Sequence, residues 1–346
     1  MNNTVVAKDI SIGLPVWLRG SDEVVMSTTV VLHRNISGFL FPHKERQGKL
    51  LGICDSVIDK AESLPGSDRL SYSFLSDMPS IAKGLIFERR MCDSVLYEST
   101  VPMVVFVSGN GEVAIHVNSS DHLEISVSKP GFSVVECLRN AKIIADRLKL
   151  SYAKSSEFGY LTSMPALMGT GLDIRLKMYL PALVVEDESF KWITECKSKG
   201  LLAAGFFGRD ENPYGDLYVF RNQNTHRKTE SDLIDTFETV KTKLRDLEMK
   251  SRGTWDKQES DDAIYRAYGT FKYVRQITFA EAMSGLSLIR FGVETGVLSG
   301  VSRDLVLQLI SDIFPTALLH KTGCPLDEIN ASRATHIRDV LSACPI

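Results

Sequence analysis

Arginines and carboxylates are the side chains of this sequence that could do chemistry. The arginines that could meet a phosphate group are Arg34, Arg89, Arg90, Arg175 and Arg209, and the carboxylates that could accept a proton are Asp121 and Glu211. An arginine fork binds phosphate oxygens bidentately, and a carboxylate can accept a proton. If residues 172–179 form a strand, Arg175 and Asp173 point to one face of it, because side chains alternate along a strand. The alternative for each of these residues is a surface salt bridge or a solvated charge.

Length, charge and hydropathy exclude several classes of protein. The chain has 346 residues, a net charge of −3 and no dense run of lysine or arginine, which argues against a general nucleic-acid-binding protein. No apolar stretch approaches the length of a membrane span, and residues 1–17 lack the basic start and apolar core of a secretory signal. We therefore expect a cytoplasmic protein that binds neither nucleic acid nor membrane.

Cysteine spacing argues against a disulfide framework or a metal site. The six cysteines are Cys54, Cys92, Cys137, Cys196, Cys324 and Cys344, and no two of them form a CxxC pair. Zinc sites and small disulfide-rich folds both need closely spaced cysteines. We expect reduced, mostly buried thiols and no bound metal.

Apolar periodicity in the first part of the chain predicts both strands and helices. Residues 112–117 and 122–127 alternate apolar and polar side chains around a short polar connection, which predicts a β-hairpin. Helical spacing follows at Val134, Leu138, Ala141, Ala145 and Leu148. A further strand pair is predicted at 172–185 and 201–207, with a third strand at 216–220. Ser231 is placed to cap a helix whose apolar stripe is Leu233, Phe237, Val240, Leu244 and Leu247.

The last part of the chain is helical by its pattern. The polar segment 249–262 interrupts the periodicity, and helices are predicted at 263–273, 279–295 and 304–314, with Gly296 and Gly300 separating them. Strands followed by helices favour an α+β domain and then an all-α one. We place these domains at 1–255 and 256–346. The stripe of Ala282, Leu286, Ile289 and Val293 is either a homodimer interface or the core of the second domain.

Several motifs resemble the bacterial protein-arginine kinases of the ATP:guanido phosphotransferase family. The most specific are FGYLTSMP at 158–165, GTGL at 169–172 and LPAL at 180–183, where the family has YGYLTSCP, GTGLR and HLPAL. The others are LHRN at 32–35 with FP at 41–42 (family RLARN and PFP), DH at 121–122 (family NEEDH), GDLY at 215–218 with NQ at 222–223 (family ISNQ), and RAYG at 266–269, KY at 272–273 and EAM at 281–283. The motifs follow the family order along nearly the whole chain.

The resemblance implies a fold, a cofactor and partners. The fold is α+β, an antiparallel β-sheet flanked by helices like the catalytic domain of phosphagen kinases and glutamine synthetase, followed by a small all-α domain. In the family the nucleotide lies across the sheet, and MgATP is the cofactor. The resemblance also implies a homodimer formed by the C-terminal domain, a small zinc-binding activator protein and a Clp-type chaperone-protease as partners.

Matched to the family motifs, most substrate-contacting positions carry other residues. The family segment SSRxR falls on Ser27, Thr28, Thr29, Val30 and Val31, and three further family arginines fall on Glu124, Asp173 and Ala204. The family glutamates fall on Ser119, Ser120 and Arg209, and the cysteine of TSCP falls on Met164. Three of these changes reverse the charge: Glu124 and Asp173 replace arginines, and Arg209 replaces a glutamate. Both ATP binding and proton abstraction should therefore suffer.

Three hypotheses of function follow. The first is a protein-arginine kinase homologue that has lost phosphoryl transfer, needs no cofactor and acts as a binding or regulatory partner. The alternative is an active kinase that uses MgATP in a site rebuilt from the arginines and carboxylates named at the outset. A third is a regulator that binds phosphoarginine through its helical domain. The family carries an Arg-Asp pair before RADLIR for this purpose, but here Ile329-Asn330 precede RATHIR at 333–338.

Overall fold

In a computed structural model of the chain, the described residues are 10, 13–62, 70–92, 101–185, 189–208 and 213–344. They divide into two compact units. The first comprises Met1–Trp17, Ser27–Leu176 and Arg221–Glu238, and the second comprises Leu18–Met26, Lys177–Phe220 and Thr239–Ile346. The predicted boundary between residues 255 and 256 falls within the second unit, and domain limits at that point stay a prediction.

An eight-stranded sheet is the largest element of the described residues. Its strands are β1 (Val25–Arg34), β2 (Leu70–Phe74), β3 (Val104–Ser108), β4 (Val113–Val117), β5 (Leu123–Pro130), β8 (Leu172–Tyr179), β9 (Leu201–Gly205) and β10 (Leu217–Asn222). They lie in the order β2-β3-β4-β5-β1-β8-β10-β9, and the pairs from β2 to β1 are antiparallel. A separate hairpin is formed by β6 (Lys154–Ser155) and β7 (Gly159–Tyr160). The predicted antiparallel sheet and the β4–β5 hairpin are confirmed.

One face of the sheet is polar around the middle of β1. The register places Thr29 opposite Ser128, and it places Glu124 of β5 between His33 of β1 and His116 of β4. Directly opposed residues of antiparallel strands point to the same side of a sheet. These five side chains therefore share one face, which we call the polar face.

Three helices accompany the sheet in the first unit. They are α1 (Gln47–Glu62), α2 (Ser80–Glu88) and α3 (Val134–Arg147). Helix α3 packs against β5, and its start is fixed by Thr28, whose Oγ1 accepts a hydrogen bond from the Ser133 N–H at 3.0 Å. Val134, Leu138 and Ala141 are buried, which confirms the helix predicted from their spacing. Thr28 neighbours Thr29 on β1, so α3 lies on the face opposite the polar face.

The strands after residue 171 differ from their prediction. Strand β8 ends at Tyr179, and residues Pro181–Val185 form a short helix, α4. Proline suits the first turn of a helix because it has no N–H to leave unpaired, so the strand predicted over 172–185 is wrong in its last part. The predicted pairing of 172–185 with 201–207 is also wrong, since β10 lies between β8 and β9.

The rest of the chain is mainly helical, as predicted. Its helices are α5 (Ser189–Ser198), α6 (Glu230–Thr254), α7 (Lys257–Tyr273), α8 (Phe279–Glu294), α9 (Arg303–Asp312), α10 (Pro315–Thr322) and α11 (Ile329–Ser342). Ser231 does not cap α6, because Thr229 Oγ1 accepts from the Asp232 N–H and Asp232 accepts from Thr229 in return. Most of the polar segment 249–262, predicted to interrupt the periodicity, is helical. Helix α6 runs into it, and Asp256 caps α7 by accepting from the Glu259 N–H at 2.9 Å.

The apolar stripe of α8 belongs to the core. Ala282, Leu286 and Ile289 are fully buried within the single chain. Residues that are inside a protomer cannot also form the surface by which two protomers meet. Of the two uses predicted for this stripe, the domain core is therefore the one in the structure, and homodimerisation stays a prediction without these residues.

Buried charges connect the helices of the second unit. Arg290 Nε donates to Glu294 Oε1 at 2.7 Å, and Arg252 Nε donates to Glu248 Oε1 at 2.8 Å. Arg252 Nη1 also donates to Glu294 Oε2 at 3.2 Å. We call Glu248, Arg252, Arg290 and Glu294 the helical network. Each of its carboxylates faces an arginine, which stays protonated at any pH in which the protein folds.

Most of the cysteines are buried, as the sequence analysis predicts. Cys54, Cys92, Cys137 and Cys196 are buried free thiols, and Cys324 and Cys344 are partly exposed. Within the described residues, no helix is long and apolar enough to cross a membrane. The same residues contain no group of histidine, cysteine and acidic side chains that could hold a metal ion.

Candidate functional site

Asp121 is a buried carboxylate beside the polar face. It lies in the β4–β5 connection and is fully buried. Its Oδ2 accepts a hydrogen bond from His33 Nδ1 at 3.0 Å, and its Oδ1 accepts from Asn35 Nδ2 at 2.5 Å and from the Ser163 N–H at 2.7 Å. The predicted substitute for a family glutamate is therefore engaged by protein groups on both of its oxygens.

Glu124 stands at the position of a family arginine, and it is buried beside basic groups. Its Oε1 accepts from Ser120 Oγ at 2.6 Å, and its two oxygens lie 3.9 Å from His33 Nδ1 and 3.8 Å from His116 Nδ1. Burial raises the pKa of Glu124, but the neighbouring His116, His33 and Ser120 outweigh burial and hold the pKa well below its ordinary value. Glu124 is therefore a buried, ionised carboxylate.

His33 is the counter-charge to these carboxylates. Burial lowers the pKa of the His33 imidazole. The hydrogen bond to Asp121 and the charges of Glu124 and Asp173 outweigh burial, so the net pKa lies above the ordinary 6.5. Its Nε2 is buried and has no hydrogen-bond partner among the described residues, and the same holds for His116 Nε2. Protonated His33 thus neutralises part of the negative charge on the polar face.

Asp173, the second carboxylate at a family arginine position, is held by two arginines. It lies on β8, where Arg175 Nε donates to its Oδ2 at 2.8 Å. Arg221 of β10 donates to the same carboxylate through Nη2 at 2.6 Å and through Nε at 3.2 Å. Burial raises the pKa of Asp173, but the two arginine charges outweigh it and the net pKa is lowered. Arg175 shares the face of Asp173, as the strand pattern predicts, and its guanidinium forms an ion pair with that carboxylate.

The β1 residues at the family phosphate positions carry no charge. Thr29 Oγ1 shares a hydrogen bond of 2.7 Å with Ser128 Oγ, and Thr28 Oγ1 donates to the Gly131 carbonyl at 2.7 Å. Ser27 Oγ is buried without a partner in the described part of the chain, and Val31 is apolar and buried. Thr29, whose hydroxyl is bonded to Ser128, and Val31 thus replace the two arginines by which the family would hold a triphosphate.

The other matched positions are spread over loops and one strand. Ser119 and Ser120 are half-buried in the β4–β5 connection, and Ala204 is half-buried in β9. Met164 is exposed, just before a 3-10 turn at Pro165–Leu167. Arg209 and Glu211 lie outside the described residues.

Arg34, a predicted phosphate contact, serves the fold. Its guanidinium lies 3.5 Å from the centre of the Tyr160 ring, and its Nη1 donates to the carbonyls of His33 at 2.8 Å and Thr170 at 3.1 Å. The GTGL turn passes so close that a Cβ on Gly171 would meet Arg34 Nη1 at 2.5 Å. Arg34 therefore fastens this turn to β1.

Arg89 and Arg90, two further predicted phosphate contacts, lie at the end of α2. Arg333 of the RATHIR segment lies in the C-terminal helices. Arg89 Nη2 donates to the Gly13 carbonyl at 2.7 Å, and the Arg90 guanidinium lies 5.2 Å from the Phe87 ring. In the RATHIR segment, buried Arg333 donates to the carbonyls of Ile313 and Ile277. These contacts give all three arginines roles in packing.

The sequence analysis did not single out His33, His116 or Arg221. His33 stands where the family motif RLARN has alanine, and Arg221 stands where ISNQ has serine. The signal was available in part, because each acidic replacement is accompanied by a basic one. It could not be connected without the register, since Glu124 and His33 are far apart in the chain and meet only as cross-strand neighbours.

These residues form a self-neutralised set that we call the sheet-face cluster. It consists of His33, His116, Asp121, Glu124, Asp173, Arg175 and Arg221. A triphosphate site needs uncommitted cations that converge on the ligand. The cluster offers buried ionised carboxylates instead, and its arginines already bind Asp173. The residues present therefore do not fit MgATP on this face.

Comparison with known protein families matches both parts of the chain. Residues 53–251 match the family described as ATP:guanido phosphotransferase, C-terminal catalytic domain. Residues 257–345 match the family described as Protein-arginine kinase McsB C-terminal domain. The junction between the two matches coincides with the break between α6 and α7.

Curated relatives match over nearly their whole length. A protein-arginine kinase of Desulforamulus reducens is 31% identical over 340 residues, which cover 94% of this chain and 95% of that protein. The protein-arginine kinase of Bacillus subtilis is 29% identical over 328 residues, covering 92% and 90%.

Solved structures of phosphagen kinases share the fold. Lombricine kinase superposes with a TM-score of 0.58 at 19% identity, covering 71% of each chain. The duplicated taurocyamine kinase from Schistosoma mansoni gives a TM-score of 0.59 at 17% identity, covering 82% of this chain and 45% of that one.

Proposed function

The chain belongs to the ATP:guanido phosphotransferase family as a homologue of protein-arginine kinases, and from this premise we propose that it has lost phosphoryl transfer. It then acts as a binding or regulatory partner that keeps the kinase scaffold. The proposal concerns only the chemistry of the polar face, since kinship with the family does not by itself imply turnover.

The observation that carries the proposal is that Glu124 and Asp173, which replace family arginines, are both neutralised by neighbouring side chains. Glu124 is met by His33 and His116, and Asp173 is met by Arg175 and Arg221. Histidines and arginines that already neutralise a buried carboxylate have little attraction left for the phosphates of a nucleotide. In the family, the phosphates of a nucleotide would neutralise the arginines at these positions. Here the charged side chains neutralise one another.

The size of the expected defect supports loss of turnover rather than slower turnover. Removing a general base typically costs about 10²–10⁴ in rate, and removing a phosphate-clamping arginine about 10³–10⁵. Such losses do not simply multiply. Even so, serine in place of the catalytic glutamates together with uncharged β1 positions leaves neither function in place at the matched residues.

An active kinase with a rebuilt site is the second candidate. The observation that favours it is the exposure of Arg221, whose side chain keeps 37% of its surface accessible although its guanidinium binds Asp173. A ligand phosphate could compete with Asp173 for that guanidinium. Such a site would depend on Arg175 and Arg221, which makes the two candidates separable by mutation.

Partners implied by family resemblance remain part of the proposal. A homodimer, a small zinc-binding activator and a Clp-type chaperone-protease are the candidates for a cytoplasmic protein of this kind. Phosphoarginine binding by the helical domain has less support, because Arg333 donates its hydrogen bonds to two buried carbonyls and to Asn330 Oδ1.

The test is incorporation of acid-labile phosphate into a casein-like substrate and into the chain itself. We expect no incorporation by the wild type. Arg175→Ala and Arg221→Ala variants serve as matched controls, because both residues are essential only to a rebuilt site. Clear wild-type incorporation that disappears in either variant would establish the second candidate and refute the first.

A further inference from the structure

A cavity of about 550 Å³ lies in the first unit, away from the sheet-face cluster. It is bounded by the β6–β7 hairpin, by the turn at Gly169-Thr170 and by residues 225–228, which lead into α6. None of the residues of the sheet-face cluster lines it. Its volume is within the range of pockets that hold small ligands or single side chains of a partner.

Uncompensated positive charge lines this cavity. Lys154, Arg227 and Lys228 form no ion pair with a carboxylate anywhere in the described residues, while Glu230 is paired with Lys142 at 2.5 Å. Glu157 is then the single lining carboxylate without such a partner, within the same described set. The excess of cations favours a ligand that carries more than one negative charge.

Arg227 has a backbone conformation that is unfavourable for arginine. Its φ is 55°, in the left-handed region that residues other than glycine rarely adopt. The adjoining α6 is 25 residues long, and the N-terminal end of a helix also favours negative charge. An arginine in this conformation, beside a helix start and two free lysines, indicates that the side chain itself is used.

Aromatic groups complete the lining. Phe158 is partly exposed at the cavity, and Tyr160 presents its ring 5.1 Å from Lys154 Nζ. Aromatic walls bind the apolar stem of a side chain, whereas the cations bind its charged end. This combination distinguishes the cavity from a simple basic surface.

We propose that this cavity binds a phosphoryl group carried on a polypeptide side chain, with Arg227, Lys228 and Lys154 contacting the phosphoryl oxygens and Phe158 contacting the stem. A dianionic phosphoryl group matches the cations better than a carboxylate does. A polypeptide fits better than a nucleotide triphosphate, because Glu157 repels additional phosphates but can accept a peptide N–H. The inference does not rest on loss of phosphoryl transfer, since the cavity and the polar face share no residue.

The test is fluorescence anisotropy of the full chain with a labelled peptide that carries one phosphoserine, alongside its unphosphorylated twin. Tight binding of the phosphopeptide alone is expected. Arg227→Gly should weaken it about tenfold or more, because one charge-assisted contact is lost. The same variant should be at least as stable as the wild type, since glycine adopts φ 55° without strain. Lys228→Gln should weaken binding similarly, and Arg139→Gln, an exposed arginine of α3, is the matched control.

Several results would overturn the proposal. They are equal binding of both peptides, phosphopeptide binding that Arg227→Gly and Lys228→Gln leave unchanged, and no phosphopeptide binding at all. Inorganic phosphate or MgATP that displaces the peptide at its own affinity would show that a small anion is the ligand, and this too would refute recognition of a polypeptide. No arm of the experiment requires turnover, so failure here leaves the proposed function intact.

Discussion

The sheet-face cluster and the helical network are both buried groups of charges, but they are balanced in different ways. In the helical network Glu294 meets Arg290 and Arg252, and its counter-charges are arginines rather than histidines. In the sheet-face cluster the balance of Glu124 depends on histidines, and Asp173 is balanced by arginines that reach the solvent. The first arrangement is that of a structural core. The second is a buried group of charges that neutralise one another beside two partly exposed arginines.

The difference explains how a ligand face can be lost while the fold is kept. Residues that hold backbone in place, such as Arg34 and Gly171, still match the family motifs. The residues at substrate positions carry new charges together with new partners. A buried carboxylate without a partner would cost several kcal/mol, so each acidic replacement is stable only with its basic neighbour.

The largest effect is expected from the helical network. Arg290→Met should lower the free energy of unfolding by about 3–5 kcal/mol, because Glu294 would lose its closest partner inside the core. Thermal and urea unfolding of the full chain measure this. Arg266→Met provides the control, since the Arg266–Asp262 pair is exposed and should contribute little. Equal stability of the two variants would refute the structural role given to the network.

A smaller loss is expected when the sheet-face cluster is broken at Asp173. Asp173→Asn should cost about 1–3 kcal/mol, the usual penalty for weakening a buried hydrogen-bonded charge. The cost stays below that of Arg290→Met because Arg221 can turn to water. Urea unfolding gives the number, and a loss as large as that of Arg290→Met would contradict the distinction between the two regions.

The smallest effect is a pH dependence confined to the sheet-face cluster. The pKa of His33 is raised in the folded chain, so its contribution to stability is fully present below pH 6.5 and is lost as the pH rises through the folded pKa. Urea unfolding across neutral pH should show this decline in the wild type and in Arg290→Met. It should be weaker in His33→Gln, and an unchanged pH profile in that variant would contradict the role of His33.

Local pattern and family motifs predicted much of the fold. The β4–β5 hairpin and α3 followed from apolar spacing, and the sheet with its helical C-terminal part followed from motif order. The errors came where one residue overrides a pattern. Pro181 turned a predicted strand into a helix, and Thr229 rather than Ser231 caps α6.

The site was predictable by position but not by contact. Glu124 and Asp173 could be identified as charge reversals from motif alignment alone. Their partners His33, His116 and Arg221 come from other strands, and only the register of the sheet brings them together. Sequence therefore suggested repulsion of a triphosphate, whereas the structure adds that the repelling charges are already neutralised and held in place.

Calorimetric titration of the purified chain with MgATP tests the central claim most directly. The protein-arginine kinase of Bacillus subtilis, titrated under the same conditions, is the positive control. With the polar face neutralised from within, we predict no heat of binding for this chain. A dissociation constant in the low micromolar range that is lost in Arg221→Ala would contradict the account and show that the polar face still holds a nucleotide.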